Sequence, residues 1–420
     1  MDFNLFKQKS VEIVQKAAPL FRFIPEGPRK KIADRIYSSF TLKYRLPKPY
    51  VKDKFPYGIN LFGYFKSENG LAQGAKLYAR ALEESDIPHT LLALNTNDQN
   101  DQTYNSKLAD EPKYAVNLIH SNANFWQKTC AEFPHVFFDR HYNIGVWMWE
   151  LEKAPEEWSA VIDGVDEIWV PSEFAARPWR QMTDKPVTVI PYGIEVPYDK
   201  SLKRADFGLS EDKFLVLIMF DSLSFSSRKN PIAAIKAFLK AFNANDKKPH
   251  LVIKISNPSE KDLEMINGIL NDKDRFTLIT ERMDKVRLNA LIRLCDVLIS
   301  LHRSEGFGLV MAEAMALGKP VVATNWSANV EFMSKETACM VDYTLIPVKN
   351  FHHDNMDAVY WADADVDQAA YYLKRLFEDK EFYQSLSVKG SHHIKTHLVP
   401  EIAAAKMKAR VNQIIYAKQE

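Results

Sequence analysis

Short apolar runs of strand length recur along most of the chain, each followed by a stretch with apolar residues at helical spacing. Gly58–Phe65, Thr90–Leu94, Tyr114–His120, Asn143–Trp149, Glu167–Pro171 and Val187–Pro191 form a first series. A polar connector around Glu195–Ser210 follows, and then a second series: Phe214–Phe220, Leu251–Ser256, Phe276–Thr280, Val297–Leu301, Pro320–Thr324 and Cys339–Val341. Apolar strands alternating with helices predict parallel sheets with crossover connections. Two such series predict an α/β protein of two doubly wound, Rossmann-like domains. Open parallel sheets bind ligands beyond the carboxyl ends of their strands, so the site is expected in a central cleft between the two sheets. Residues 366–420 read as helical, most clearly Asp367–Glu378 and Glu401–Ala417.

Ahead of the first series, residues 1–50 place Leu5, Phe6, Val11, Ile13, Val14, Ala17, Leu20 and Phe21 at loosely helical spacing among basic residues. The expected organisation is an amphipathic helical arm (1–56), a first domain (57–195), a second domain (196–395) and a final helix (396–420) packing back on the first. Residues 1–48 carry eleven Lys/Arg against Asp2, Glu12, Glu26 and Asp34, a local net of +7 in a chain whose total is +1. Two readings stand for this arm. It docks on an anionic membrane surface, where each basic residue adds on the order of 1 kcal/mol, or it packs on the protein's own surface.

Across 420 residues, 46% are hydrophobic and 12% aromatic, enough for two sizeable cores. The near-zero net charge excludes a global field that would gather nucleic acid. Cys130, Cys295 and Cys339 lie far apart without paired spacing, which fits a reducing compartment and gives neither a disulfide framework nor a zinc cluster. No apolar run approaches the roughly eighteen residues of a membrane span, and the first residues lack a signal-peptide pattern. The expected location is the cytoplasm, with peripheral attachment to the inner face of the membrane if the arm binds lipid.

The segment richest in chemistry is Val297–Thr324, VLISLHRSEGFGLVMAEAMALGKPVVAT, which reads as strand, loop, helix, glycine stop and strand. Gly306 and Gly308 flank Phe307 where the helix begins near Leu309, so backbone amides there can approach an anion. Glu305 and Glu313 stand at the loop and inside the helix, facing different parts of one ligand. EGFGLVMAE, Glu305 to Glu313, resembles the hallmark of the family 4 retaining glycosyltransferases of the GT-B fold: two glutamates separated by seven residues around a Gly-Phe-Gly turn. The resemblance implies a donor site for a nucleotide diphosphate sugar. Glu305 would contact hydroxyls of the transferred sugar, the amides of Phe307, Gly308 and Leu309 would hold the distal phosphate, and Glu313 would accept from the ribose hydroxyls. His302 and Arg303, beside Glu305, would join the donor site.

Arg228 and Lys229 follow the first strand of the second domain, where the family places an arginine and a lysine against the diphosphate. Lys229 matches the lysine. The usual arginine position falls near Leu223, so Arg228 is expected to substitute for it. In the first domain, FGYFKSENGLAQGAKLYARAL resembles the family's acceptor-side glycine loop, with Asn69 and Gly70 at its corner. YNIGVWMWELEKAPEEW and VDEIWVPSEFAA resemble bacterial polysaccharide mannosyl- and rhamnosyltransferases. The family's histidine is absent from the end of that Trp-rich strand. Glu150 is the candidate to face the sugar, and Trp147 or Trp149 to stack on a pyranose ring. Each also has a purely structural reading, Trp in a core and Glu150 as a helix cap. His120, His141 and the Ser327-Ala328-Asn329 loop are further candidates to line the cleft.

The acidic pairs that could hold Mg²⁺ or Mn²⁺ are Asp363-Ala-Asp365-Val-Asp367 and Asp272-Lys-Asp274. Neither follows a clear strand, and the first suits helix capping, so neither metal nor cofactor is expected. The resemblance thus implies a metal-independent hexosyltransferase of surface-polysaccharide or lipopolysaccharide assembly. It would use GDP-mannose, or next a UDP-hexose, and a saccharide or lipid-linked acceptor. The alternative is a noncatalytic partner binding a glycan or nucleotide sugar at the membrane. A dehydrogenase is disfavoured because no GxGxxG follows an early strand.

Overall fold

In the computed structural model, residues 45–95, 103–270, 275–348 and 359–416 are described. The chain divides into a short unit, Met1–Leu46, and a large one, Pro47–Glu420, which contains both sheets. The basic arm falls almost wholly outside the described residues, as does the pair Asp272 and Asp274.

The first sheet domain runs β1 (Ile59–Gly63), α1 (Gly70–Glu83), β2 (His89–Ala93), β3 (Val116–Ile119), α2 (Trp126–Glu132), β4 (Tyr142–Val146), α3 (Ser159–Ile162), β5 (Glu167–Val170), α4 (Glu173–Arg180) and β6 (Val187–Val189). Its strands are all parallel in the order β2-β1-β3-β4-β5-β6. Side-chain amides lock the central strands: Asn60 donates to Asn117 (2.8 Å) and Asn117 to Asn143 (2.9 Å), all three buried. These buried amides, bonded to one another and to backbone carbonyls such as those of Tyr114, Phe137 and Phe138, hold the register of β1, β3 and β4 without leaving polar groups bare.

The second sheet domain contains β7 (Phe214–Asp221), α5 (Ser226–Lys229), α6 (Pro231–Ala241), β8 (Pro249–Ser256), α7 (Glu260–Ile269), β9 (Phe276–Ile279), α8 (Lys285–Leu294), β10 (Val297–Ser300), α9 (Leu309–Ala316), β11 (Val321–Thr324) and β12 (Cys339–Val341). The order is β12-β11-β10-β7-β8-β9, again parallel. All the apolar runs read as strands are strands. One feature went unforeseen, an antiparallel pair of β13 (Tyr343–Pro347) with β14 (Tyr360–Ala364); the stretch read as helical consists of α10 (Val366–Glu378), the long α11 (Lys380–His397) and α12 (Pro400–Tyr416).

One apolar cluster runs from Ile59, Val116 and Trp169 of the first sheet through Tyr192 and Phe307 to Leu217, Leu298 and Met311 of the second. The two domains therefore share buried surface. The final helix α12 lies against the first domain: the Arg410 guanidinium grips the buried Glu167 carboxylate (2.8 Å), and the Tyr57 hydroxyl donates to Asn412 (3.0 Å). Among the described residues no helix is long and apolar enough to cross a membrane.

Candidate functional site

Strand order decides where a site can form. In the first sheet the chain reverses direction of winding between β1 and β3, and in the second between β7 and β10. Loops leaving the carboxyl ends of such paired strands diverge and open a crevice. The loop after β7 carries Arg228 and Lys229, and the loop after β10 carries Glu305, so residues 76 positions apart in the chain meet.

Local backbone strain fixes the first of these loops. Phe225 (φ 61°) and Asn230 (φ 50°) bracket α5 in a left-handed region that a bulky side chain rarely adopts. The Arg303 amide donates to the Arg228 carbonyl (2.7 Å), pinning this turn to the loop after β10. Lys229 Nζ lies 2.5 Å from Glu305 Oε1, and Arg228 Nη1 lies 3.5 Å from Glu305 Oε2. Arg228 Nη2 reaches Glu150 Oε1 of the first domain at 3.2 Å. Burial would push the Glu305 carboxyl up, but Lys229 and Arg228 more than offset it and hold its pKa at about 2. Glu305 is thus an anion at neutral pH, able to accept hydrogen bonds and unable to supply a proton. Leu223, near the position expected for an arginine, is 77% exposed, whereas Arg228 is buried.

The Gly306-Phe307-Gly308 turn leads into α9. Gly308 is its N-cap at φ 98°, and a Cβ there would fall 2.5 Å from Met311 Cε, so glycine alone fits. Among the described residues no protein acceptor takes the amides of Phe307, Gly308 or Leu309, which leaves the donors of a helix amino end open to an anion. Phe307 packs edge-on to Tyr192. Glu313, one turn into α9, is buried and paired with Lys285 of α8 (2.6 Å). The Ser327-Ala328-Asn329 loop backs the turn: Ser327 Oγ accepts from the Glu305 amide (2.9 Å), and the Ala328 amide donates to the Glu305 carbonyl.

Four expected contacts are not made. Trp147 is fully buried between Trp126 and Trp179, so it is core and offers no face to a sugar. Trp149 is 7% exposed, packs on Trp158 and donates its indole N–H to the Lys153 carbonyl (2.6 Å). The cause is that β4 ends at Val146 and the chain turns inward, the Met148 amide bonding Asn122 (2.8 Å). His302 is fully buried with Nε2 3.0 Å from Asn329 Oδ1, and burial keeps its pKa low; it is engaged in supporting the loop. Arg303 is drawn to Asp363 of β14 (2.8 Å) and to the Ser227 carbonyl (2.9 Å), away from the glycine turn. Of the acidic run beside Asp363, Asp365 caps α10, accepting from the Asp367 and Gln368 amides. Among the described residues no three acidic, His or Cys side chains converge as a metal cluster.

On the first-domain side, Asn69 caps α1, accepting from Ala72 N (2.9 Å), and Gly70 begins that helix with open space around it. The close approach occurs one turn later, where a Cβ on Gly74 would lie 2.5 Å from the Tyr192 hydroxyl and 2.7 Å from His120 Nε2. His120 is fully buried, bonded to Tyr192 (3.0 Å), and burial lowers its pKa to about 3. His141 instead bonds the Tyr114 carbonyl (2.8 Å) below the sheet and stacks on Phe55.

Sequence reading missed the clasp that closes the domains on the glycine turn. Ser172 donates to the Gly306 carbonyl (2.7 Å), Ser304 Oγ donates to the Glu150 carbonyl, and the Glu331 carboxylate accepts from the amides of Glu173 (2.9 Å) and Phe174 (2.8 Å) at the start of α4. Isolated serines and a glutamate carry no signal of partners more than 130 positions away. Lys285 was missed because a lysine at the start of a helix reads as a solvated surface residue.

Residues 199–392, essentially the second sheet domain and just under half the chain, match the family Glycosyl transferases group 1. A stretch of 134 residues is 31% identical to D-inositol 3-phosphate glycosyltransferase of Mycobacteroides abscessus. That match covers 30% of this chain and 28% of the relative, under a third of its length. Among solved structures, a glycosyltransferase of Rickettsia africae is similar at 12% identity with a TM-score of 0.65, covering 86% of this chain and 100% of that one. Sucrose-phosphate synthase of Thermosynechococcus elongatus is similar at 16% identity with a TM-score of 0.62 and the same coverage. The Anabaena protein HepE, in complex with UDP and glucose, is similar at 13% identity with a TM-score of 0.59, covering 85% and 100%. At these identities the likeness is one of fold, and that fold is GT-B: two parallel-sheet Rossmann-like domains.

Proposed function

We propose that this chain is a retaining, metal-independent glycosyltransferase that moves a hexose from a nucleotide diphosphate to a saccharide or lipid-linked acceptor in surface-polysaccharide assembly. One observation carries the reading: Arg228, Lys229 and Glu305 converge beside the open amides at the amino end of α9, at the switch point of the second sheet. The open amides and Lys229 take the diphosphate, whose charge grows as the bond from the sugar C1 to the phosphate oxygen breaks. Glu305, held ionised, accepts hydrogen bonds from hydroxyls of the sugar, and Glu313 accepts from the ribose. The acceptor oxygen bonds to C1 on the face the phosphate leaves, and its proton passes to the departing phosphate, so no side-chain nucleophile is needed. Glu150 orients Arg228 from across the cleft.

The test is transfer and donor hydrolysis over a panel including GDP-mannose and UDP-hexoses, with and without EDTA. Activity with one donor that survives chelation and falls at least a hundredfold in Glu313→Ala is expected. A wild type silenced by EDTA, or a Glu313→Ala protein of undiminished rate, contradicts the reading.

A further inference from the structure

Lys285 is the first residue of α8, directly after the N-cap Asp284. A cation at a helix amino end opposes the helix dipole, so its place there is a local disadvantage that a tertiary role must offset. Its Nζ lies 2.6 Å from Glu313 Oε1, and the two side chains differ sharply in access: 21% for Lys285 and 4% for Glu313. Glu313 Oε2 is buried and has no hydrogen-bond partner. A buried carboxylate with one oxygen satisfied and the other bare is unusual, because an unpaired buried acceptor is costly. The bare oxygen is an acceptor held ready for a ligand hydroxyl. Lys285, at the more open end of the pair, has three N–H donors, of which the ion pair uses one.

We propose that Lys285 is a donor-binding residue that, with Glu313, reads the vicinal diol of the nucleotide ribose. This rests on the donor site proposed above. Oε1 faces Lys285 and Oε2 is the oxygen without a partner, so Glu313 accepts there from one hydroxyl. Lys285 donates to the oxygen of the other. The pair then matches a diol as one donor and one acceptor, and removal of either hydroxyl forfeits one hydrogen bond to a charged group.

The experiment is calorimetric binding of UDP and GDP, and of their 2′-deoxy and 3′-deoxy counterparts, to wild type, Lys285→Met and Lys285→Arg. Whichever of UDP and GDP binds wild type should bind roughly 10- to 100-fold more tightly than both deoxy forms, the range for losing a hydrogen bond to a charged group. Lys285→Met should bring the ratio for one deoxy form close to unity while keeping that for the other, and Lys285→Arg should keep both. Equal wild-type affinity for ribo and deoxy forms overturns the inference, as does a Lys285→Met protein that loses the same factor against every ligand, the mark of charge neutralisation alone. If Lys285→Met does not fold, Lys285→Ala is read in the same way. A wild type that binds neither UDP nor GDP overturns the donor site itself, which separates the two failures.

Discussion

Arg228 and Glu150 meet at 3.2 Å across the seam between the two sheet domains, one from the loop after β7 and the other just beyond β4. The same guanidinium reaches Glu305 at 3.5 Å, so one buried cation is shared by a carboxylate from each domain. With Lys229 the cluster holds two positive and two negative groups, and its charges cancel before any ligand enters. Removing the Glu150 charge should therefore raise the local potential felt by a diphosphate. Glu150→Gln is expected to tighten donor binding severalfold at low ionic strength, with the gain fading in about 0.5 M salt as the field is screened. Titration at two salt concentrations checks this. Weaker binding at both would instead favour direct contact of Glu150 with the sugar.

Gly308 and Gly70 make contrasting predictions. At Gly308 a Cβ meets Met311 at 2.5 Å and φ is 98°, so Gly308→Ala should cost about 1–3 kcal/mol and weaken donor binding through the displaced amides. At Gly70 nothing lies within 4 Å of a Cβ, and Gly70→Ala should change stability by less than about 0.5 kcal/mol. Denaturant titration of both variants reads the difference.

Trp147→Ala should cost about 3–5 kcal/mol, the range for deleting a large buried aromatic, and leave the acceptor KM of the folded protein unchanged. Denaturation beside a steady-state acceptor titration checks both halves. A raised KM in a protein of normal stability would restore the stacking role.

The Trp strand shows where sequence reading stops. The strands were legible because parallel strands buried on both faces are apolar throughout, and that pattern survives without tertiary knowledge. The glutamates, the glycine turn and Lys229 were legible because their spacing lies within single segments. The direction of a side chain is not encoded that way. His302 and Arg303 adjoin Glu305 in sequence, yet the first turns to Asn329 and the second to Asp363, on a strand pair the sequence did not announce. Aromatic residues at a strand end likewise look the same whether they face a cleft or a core.

Acid should destabilise the fold through buried histidines. His120, fully buried, has its pKa lowered to about 3, and desolvation likewise lowers His141 to about 4. A depressed histidine pKa means the unfolded chain takes up the proton first. Stability is therefore fully present above about pH 6.5 and is lost as pH falls towards the folded values. Between pH 7.5 and 5, His120 alone should cost on the order of 2 kcal/mol. Urea titrations at the two pH values, repeated with His120→Gln, measure it; a variant as pH-sensitive as wild type would exclude His120 as the source.

The claim that Arg228, Lys229 and the amino end of α9 grip a sugar-linked diphosphate is tested most directly by thermal melts against a panel of nucleotide sugars. One donor at about 100 times its Kd should stabilise wild type by about 2.7 kcal/mol. The same concentration should do markedly less for Lys229→Ala, whose unliganded fold is expected to remain intact. No stabilisation by any nucleotide sugar, or equal stabilisation of the two proteins, would contradict it.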